Sequence, residues 1–169
     1  MAETVFILMG SNLGDREAYL IDALIRLEEI DGLEIAATSG IYVSEATGMD
    51  EGSPSFMNQV VMVDFLYLPH ELLNALESIE KSMGRTGKGE MIPRTIDLDI
   101  LLFGNQIVKS DTLSIPHPEL LNRPFAMVPL LQIEPEIVHP ATKRPIADSL
   151  DATEVEKIVL YRDHVARNV

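Results

Sequence analysis

Two aspartates stand two residues apart in an otherwise apolar run, Pro93-Arg94-Thr95-Ile96-Asp97-Leu98-Asp99-Ile100-Leu101-Leu102-Phe103-Gly104. Six apolar residues, with β-branching near the start, make this run a strand. Packing alone gives no reason to place two acids in it. Side chains alternate along a strand, so Asp97 and Asp99 share one face, with Cα atoms roughly 6–7 Å apart. Two convergent carboxylates are hard oxygen ligands suited to magnesium, which rarely has a full protein cage and is held by one or two carboxylates plus substrate phosphates. Arg94, stiffened by Pro93, puts a guanidinium where a polyphosphate at such a centre would need one. A salt-bridged pair of acids on an edge strand would leave the same pattern.

The whole chain frames that centre. Its 169 residues, 46% of them hydrophobic, suffice for one domain with a real core, and no internal repeat is visible. The absence of Cys excludes a disulfide framework or thiolate metal site, leaving carboxylate and imidazole as ligands. A formal charge of −14 argues against a general nucleic-acid binder. The trend breaks between Lys81 and Arg94, where Lys81, Arg85, Lys88 and Arg94 meet the single acid Glu90, so this segment is +3 and the remainder −17. A local cationic site in an acidic protein suits a small polyanion better than a polymer. The acidic start, Met1 to Thr4, runs into an apolar strand and predicts neither signal peptide nor membrane span, hence a cytoplasmic protein.

The elements that must position these groups follow from periodicity. Thr4 to Met9 reads as a buried strand and Gly10-Ser11-Asn12-Leu13-Gly14-Asp15 as the turn leaving it, without the Lys or spacing of a phosphate loop. Asp15 can N-cap a helix with Leu20, Ala23, Leu24, Leu27 and Ile30 on one face and Gly32 as its stop. A second strand is expected from about Leu33 to Val43, then a long loop, Ser44 to Ser55. In a third strand, Phe56 to Leu66, Asn58 is the polar exception on the face shared with Phe56, Val60 and Met62. An amide there is either satisfied by backbone or reads the polar edge of a flat heterocycle. Pro69 opens a helix with Leu72, Leu73, Leu76, Ile79 and Met83 inward, Glu77 and Glu80 outward or half outward, and Gly84 at its end. A glycine-rich basic loop, Arg85 to Pro93, then delivers the chain to the Asp97 strand, after which Gly104-Asn105 predicts a hairpin turn and Gln106 to Val108 a return strand.

Ile115-Pro116-His117-Pro118-Glu119-Leu120-Leu121-Asn122-Arg123-Pro124-Phe125 is dense in groups capable of function. Prolines stiffen the backbone around His117, and a helical turn from Pro118 would bring Arg123 back toward it. A lone His is more often structural, but His117 with Arg123 and Phe125, bracketed by prolines, reads as a ligand wall. Ala126 to Ile133 reads as a short apolar helix, and Glu134 to Val169, with an amphipathic tail from about Thr153, shows no chemistry.

In order along the chain, Gly10-Ser11-Asn12-Leu13-Gly14, the Pro93 to Gly104 run, Ile115-Pro116-His117-Pro118 and Arg123-Pro124-Phe125 resemble the 6-hydroxymethyl-7,8-dihydropterin pyrophosphokinases of folate biosynthesis. The resemblance implies an α+β fold, a ferredoxin-like α/β sandwich with a mainly antiparallel sheet, as a single domain over 1–169 with its matching core at about 4–135. It implies magnesium-dependent transfer of pyrophosphate from ATP to 6-hydroxymethyl-7,8-dihydropterin, giving AMP and the pterin pyrophosphate. Asp97 and Asp99 would bind two magnesium ions, and Arg85 and Arg94 would join them in catalysis by handling the transferred phosphates. Asn58, Phe56 and Phe125 would hold the pterin, while His117, Arg123, Glu80 and Ile100 would contact ATP. No nucleic acid or membrane partner is expected, and a monomer is. The loop Arg85 to Pro93 departs from the family pattern: it has no Trp and is one residue short, which bears on rate and affinity rather than reaction type. Two other classes fit the same residues. One is a catalytically idle ferredoxin-like module that binds pterin or nucleotide, the other a two-metal nucleotidyl-transfer or cyclase enzyme releasing pyrophosphate rather than AMP.

Overall fold

The computed structural model of the chain describes residues 1–44, 55–84, 95–163 and 166–167. Arg85, Lys88 and Arg94, and nearly all of the loop expected between Ser44 and Ser55, lie outside the described residues. In chain order the elements are β1 (Glu3–Ser11), α1 (Arg16–Glu28), β2 (Leu33–Thr38), β3 (Ile41–Ser44), β4 (Phe56–Phe65), α2 (Pro69–Ser82), β5 (Asp97–Phe103), β6 (Val108–Lys109), β7 (Ser114–Ile115), α3 (Pro124–Ile133), α4 (Ala152–Val155), β8 (Val159–Arg162) and β9 (Ala166–Arg167).

Val5, Ile7 and Met9 alternate with Phe6 and Leu8 along β1, and both sets are buried. A strand covered on both faces must lie inside its sheet, and β1 is paired antiparallel to β4 on one side and β5 on the other. The order β5-β1-β4-β2, all antiparallel, is that of a ferredoxin-like α+β sandwich. It is extended by β9 on β2, and by β3, which pairs with β4 and carries β8.

One face packs Val5, Ile7, Met9, Val61, Val63, Phe65, Leu98 and Ile100 against Leu20, Ala23 and Leu27 of α1 and Leu72, Leu76 and Ile79 of α2. The other packs Phe6, Leu8, Val60, Leu101 and Leu102 against Ala126, Met127, Leu130 and Ile133 of α3. Leu101 and Leu102 both reach that second face because the register shifts between Phe6 and Ile7, a bulge in which Leu101 is the extra residue. Helix starts follow their caps: Asp15 accepts from the Ala18 N–H at 3.1 Å, and Glu71 Oε2 accepts from the Leu68 N–H at 2.8 Å at the head of α2. Among the described residues no helix is long and apolar enough to cross a membrane.

Four sequence expectations are corrected here. Gly10 and Ser11 belong to β1 and not to a turn. The strand expected over Leu33 to Val43 is two strands, because Ser39 enters the ladder with its side chain: its Oγ accepts from the Val60 N–H at 2.9 Å while its own N–H donates to the Val60 carbonyl at 2.9 Å. The return strand after Gly104 does not run back along β5; β6 pairs with β7 in a separate two-stranded sheet. The tail from about Thr153 is not one amphipathic stretch, since β8 and β9 are added to the sheet.

Candidate active site

The pairing register builds the site. Tyr42 of β3 lies opposite Asn58 of β4, Asn58 opposite Gly10 of β1, and Gly10 opposite Asp97 of β5. These four positions form one row across four strands, on the face that α3 covers elsewhere. One step inward, Leu8 lies between Val60 and Asp99. The α3-face core includes Leu8 and Val60; in the outer row Asn58 and Gly10 are buried and Asp97 is half-buried. Glycine is required in its middle: a Cβ on Gly10 would stand 2.9 Å from Asn58 Oδ1 and 3.6 Å from the Phe56 ring.

Asp97 and Asp99 are half-buried on the same face, as period-two alternation demands. Arg123, at the head of α3, places Nη1 3.9 Å from Asp99 Oδ2, and its Cζ lies 5.7 Å from the centroid of the Phe125 ring. Thus α3 brings Arg123 and Phe125 to the metal-ligand candidates as one unit. His117 is tied to the same strand, its N–H donating to the Leu101 carbonyl at 2.9 Å. Its Nδ1 accepts from the Glu119 N–H at 3.1 Å, which puts the proton of the neutral ring on Nε2. A 3₁₀ turn, Leu120–Asn122, then carries the chain from His117 to Arg123. The Ile115–Pro116 peptide bond before it is cis.

Residues 6–135 match the sequence profile of the family described as 7,8-dihydro-6-hydroxymethylpterin-pyrophosphokinase (HPPK). The chain belongs to that family. It is 40% identical over 145 residues to the 2-amino-4-hydroxy-6-hydroxymethyldihydropteridine pyrophosphokinase of Aquifex aeolicus, covering 86% of this chain and 89% of that one. The enzyme of the same name from Bacillus subtilis is 35% identical, with 84% of each chain covered. The match to the folic acid synthesis protein fol1 of Pneumocystis carinii, at 41% identity, spans 86% of this chain but only 19% of that longer one. Among solved structures, a crystal structure of HPPK-DHPS from Plasmodium falciparum superposes with a TM-score of 0.70 at 15% identity, over 99% of this chain and 48% of that one. At that identity the likeness speaks for the fold alone.

Within this pyrophosphokinase the donor set fits magnesium. Asp97 and Asp99 offer carboxylate oxygens from one face of β5, and two such hard donors would suit a magnesium ion whose shell is completed by substrate phosphates and water.

Two residues expected at the ATP site are not brought there by their side chains. Glu80 was expected outward or half outward; it is 3% exposed, and its Oε2 accepts from the Leu98 N–H at 2.8 Å. It braces the amide between the two aspartates from the α2 side, where β5, as the edge strand, has no neighbour to accept that bond. Ile100 packs in the core beneath α1 and α2, on the face opposite Asp97 and Asp99. Conversely, Gly10, Tyr42 and Ser44 were missed. The hydroxyl of Ser44 accepts from Asn58 Nδ2 at 3.2 Å. Tyr42 is buried, and burial, with Asp163 as a second cause, raises the pKa of its phenol. Only Gly10 left a signal, its place at the end of an apolar strand.

Proposed function

We propose that this pyrophosphokinase transfers the β,γ-pyrophosphoryl group of ATP to the hydroxymethyl group of 6-hydroxymethyl-7,8-dihydropterin, with two magnesium ions held by Asp97 and Asp99. The row Asn58–Gly10–Asp97 carries this reading. Two strand spacings, about 9–10 Å, separate a buried amide from a metal-binding carboxylate across a bare glycine. A flat bicycle lying over Gly10, its polar edge on Asn58, has its one-carbon arm directed toward Asp97. Phe56 and Phe125 supply aromatic surface for the ring.

In the transfer, the alcohol oxygen forms a bond to the β-phosphorus while the bridge bond to the α-phosphate breaks. AMP leaves with that electron pair, and the alcohol proton passes to solvent. Bound magnesium would supply charge neutralisation and lower the pKa of the attacking alcohol. Arg123, whose guanidinium lies over the Phe125 ring, would contact ATP phosphates, and His117 would line the same wall. Arg85 and Arg94 are assigned to the transferred phosphates on the family resemblance. Glu80 serves as a positioning residue, because its hydrogen bond to Leu98 sets the strand from which both aspartates project. A monomeric, cytoplasmic enzyme without nucleic-acid partners belongs to the same proposal.

Product analysis tests it. With ATP, magnesium and 6-hydroxymethyl-7,8-dihydropterin, stoichiometric AMP and pterin pyrophosphate are expected, and no AMP without the pterin. Release of pyrophosphate would instead mark nucleotidyl transfer, and pterin binding without turnover an idle module.

A further inference from the structure

Arg16 is the first residue of α1, directly after its cap Asp15. A cation at the N-terminal end of a helix opposes the macrodipole, so α1 itself gains nothing from a guanidinium there. Arg16 instead reaches across to the head of β4. It is half-buried, and its Nη1 donates to the Ser55 carbonyl at 2.7 Å and to Ser55 Oγ at 3.0 Å. Ser55 immediately precedes Phe56, the first residue of β4. The ladder between β1 and β4 ends with Ser11 opposite Met57, so Phe56 stands one residue beyond it. On the other side Phe56 lies opposite Ser44, the last residue of β3. A strand end of this kind frays at little cost unless something outside the ladder holds it. The Phe56 ring nevertheless reaches the middle of the outer row, 3.6 Å from where a Cβ on Gly10 would stand. We infer that Arg16 is a positioning residue: its charge-assisted bonds to Ser55 clamp the start of β4 to α1 and so hold the Phe56 ring beside Gly10 for a flat heterocycle.

The inference rests on the pterin reading and adds to it a residue from outside the site. A ring that packs on Phe56 binds only to those molecules in which the start of β4 is in place. Loss of the clamp lowers that fraction, and the apparent affinity falls by the same factor. Once bound, the heterocycle holds Phe56 itself, so the chemical step is unchanged. ATP, proposed to bind by Asp97, Asp99 and Arg123, makes no use of the clamp. The signature is a higher KM for one substrate at constant kcat.

Steady-state kinetics and one spectroscopic probe test this. Arg16→Ala should raise KM for 6-hydroxymethyl-7,8-dihydropterin about fivefold to twentyfold and leave kcat and KM for ATP within about twofold of the parent. Arg16→Lys, which keeps a charged donor, should recover most of that loss. Ser55→Ala, which leaves the shorter bond to the carbonyl, should raise the same KM only about twofold, and should add nothing in the Arg16→Ala background. The chain has no Trp, so Phe56→Trp supplies a single emission signal at the site. Adding Arg16→Ala to that variant should increase its quenching by acrylamide. A KM for the pterin that does not move, whatever happens to the melting temperature, would make Arg16 a structural tie and overturn the inference. Equal rises in KM for both substrates, or unchanged quenching, would overturn it too. A parent that forms no pterin pyrophosphate would overturn the pyrophosphokinase reading, and the quenching comparison would still decide the clamp.

Discussion

The two faces of the sheet are cut from the same strands but do different work. Under α1 and α2, helices of 13 and 14 residues, every inward position of β1 from Val5 to Met9 is apolar and closed over. Over the opposite face runs α3, 10 residues and so ~15 Å long, with Leu120 and Ile146 joining it in the core, against a strand β1 of 9 residues that extends ~30 Å. The apolar pattern on that face ends where the helix cover ends: Phe6 and Leu8 are in the core, and the next position is Gly10. Beyond that edge the strands carry Phe56, Asn58 and Asp97, and Asp99 stands beside Leu8 at the edge itself. The same β5 sends Leu98 and Ile100 into the closed face and its two carboxylates onto the open one. The face that α3 covers in part thus presents strand-borne polar groups, while the fully covered face supplies the stability.

That contrast can be broken from either side. The largest effect is expected for Asp97→Ala or Asp99→Ala, each lowering kcat by about a thousandfold or more, on the order of 4 kcal/mol of lost transition-state stabilisation. Both residues are half-buried on the open face, so the melting temperature without magnesium should stay within about 2 °C of the parent. A large drop in melting temperature with activity kept would make them structural acids of an edge strand.

Leu72→Ala on the closed face should do the reverse. Leu72 is fully buried among β-strand side chains, and truncation leaves a cavity costing about 2–5 kcal/mol of stability. Denaturant titration should show that loss, while kcat/KM of the folded protein at low temperature stays near the parent value. A matching fall in kcat/KM would mean that the two faces are not independent.

The smallest effect concerns the edge of the α3 face. His139 is 7% exposed, and its Nδ1 accepts from the Ala141 and Thr142 N–H groups at 3.1 and 3.2 Å. Burial lowers its pKa below the ordinary value. The unfolded chain therefore takes up this proton first as pH falls, so the contribution of His139 is complete above the unfolded pKa of about 6.5 and is lost on going below it toward the folded pKa. Between neutral pH and mildly acidic pH the parent should lose more in melting temperature than His139→Gln does. Equal slopes in the two proteins would remove His139 as a pH-linked contact.

Period and spacing were enough to read the major strands and the three long helices, the N-cap at Asp15, and the shared face of Asp97 and Asp99. All of these are local: alternation of two or 3.6 residues and a cap three residues from its amide are written along the chain. The clustering of Arg123 and Phe125 beside Asp99 was anticipated only in outline, from density of functional types. Glu80 was misread because a carboxylate on a helix is solvated by default. What buries it is an unpaired amide on an edge strand 18 residues away, which no helical pattern reveals.

By itself, then, the sequence determined which side chains face together within each strand and helix, since covalent geometry imposes those periods on any chain. Register was decided by tertiary structure. That Asn58, Gly10 and Asp97 stand in one row depends on how three separated strands slide against each other, and a shift of one residue would send each to the opposite face. Packing of Phe6, Leu8, Val60 and Leu101 beneath α3 holds that register, and with it the bare glycine between an amide and a carboxylate.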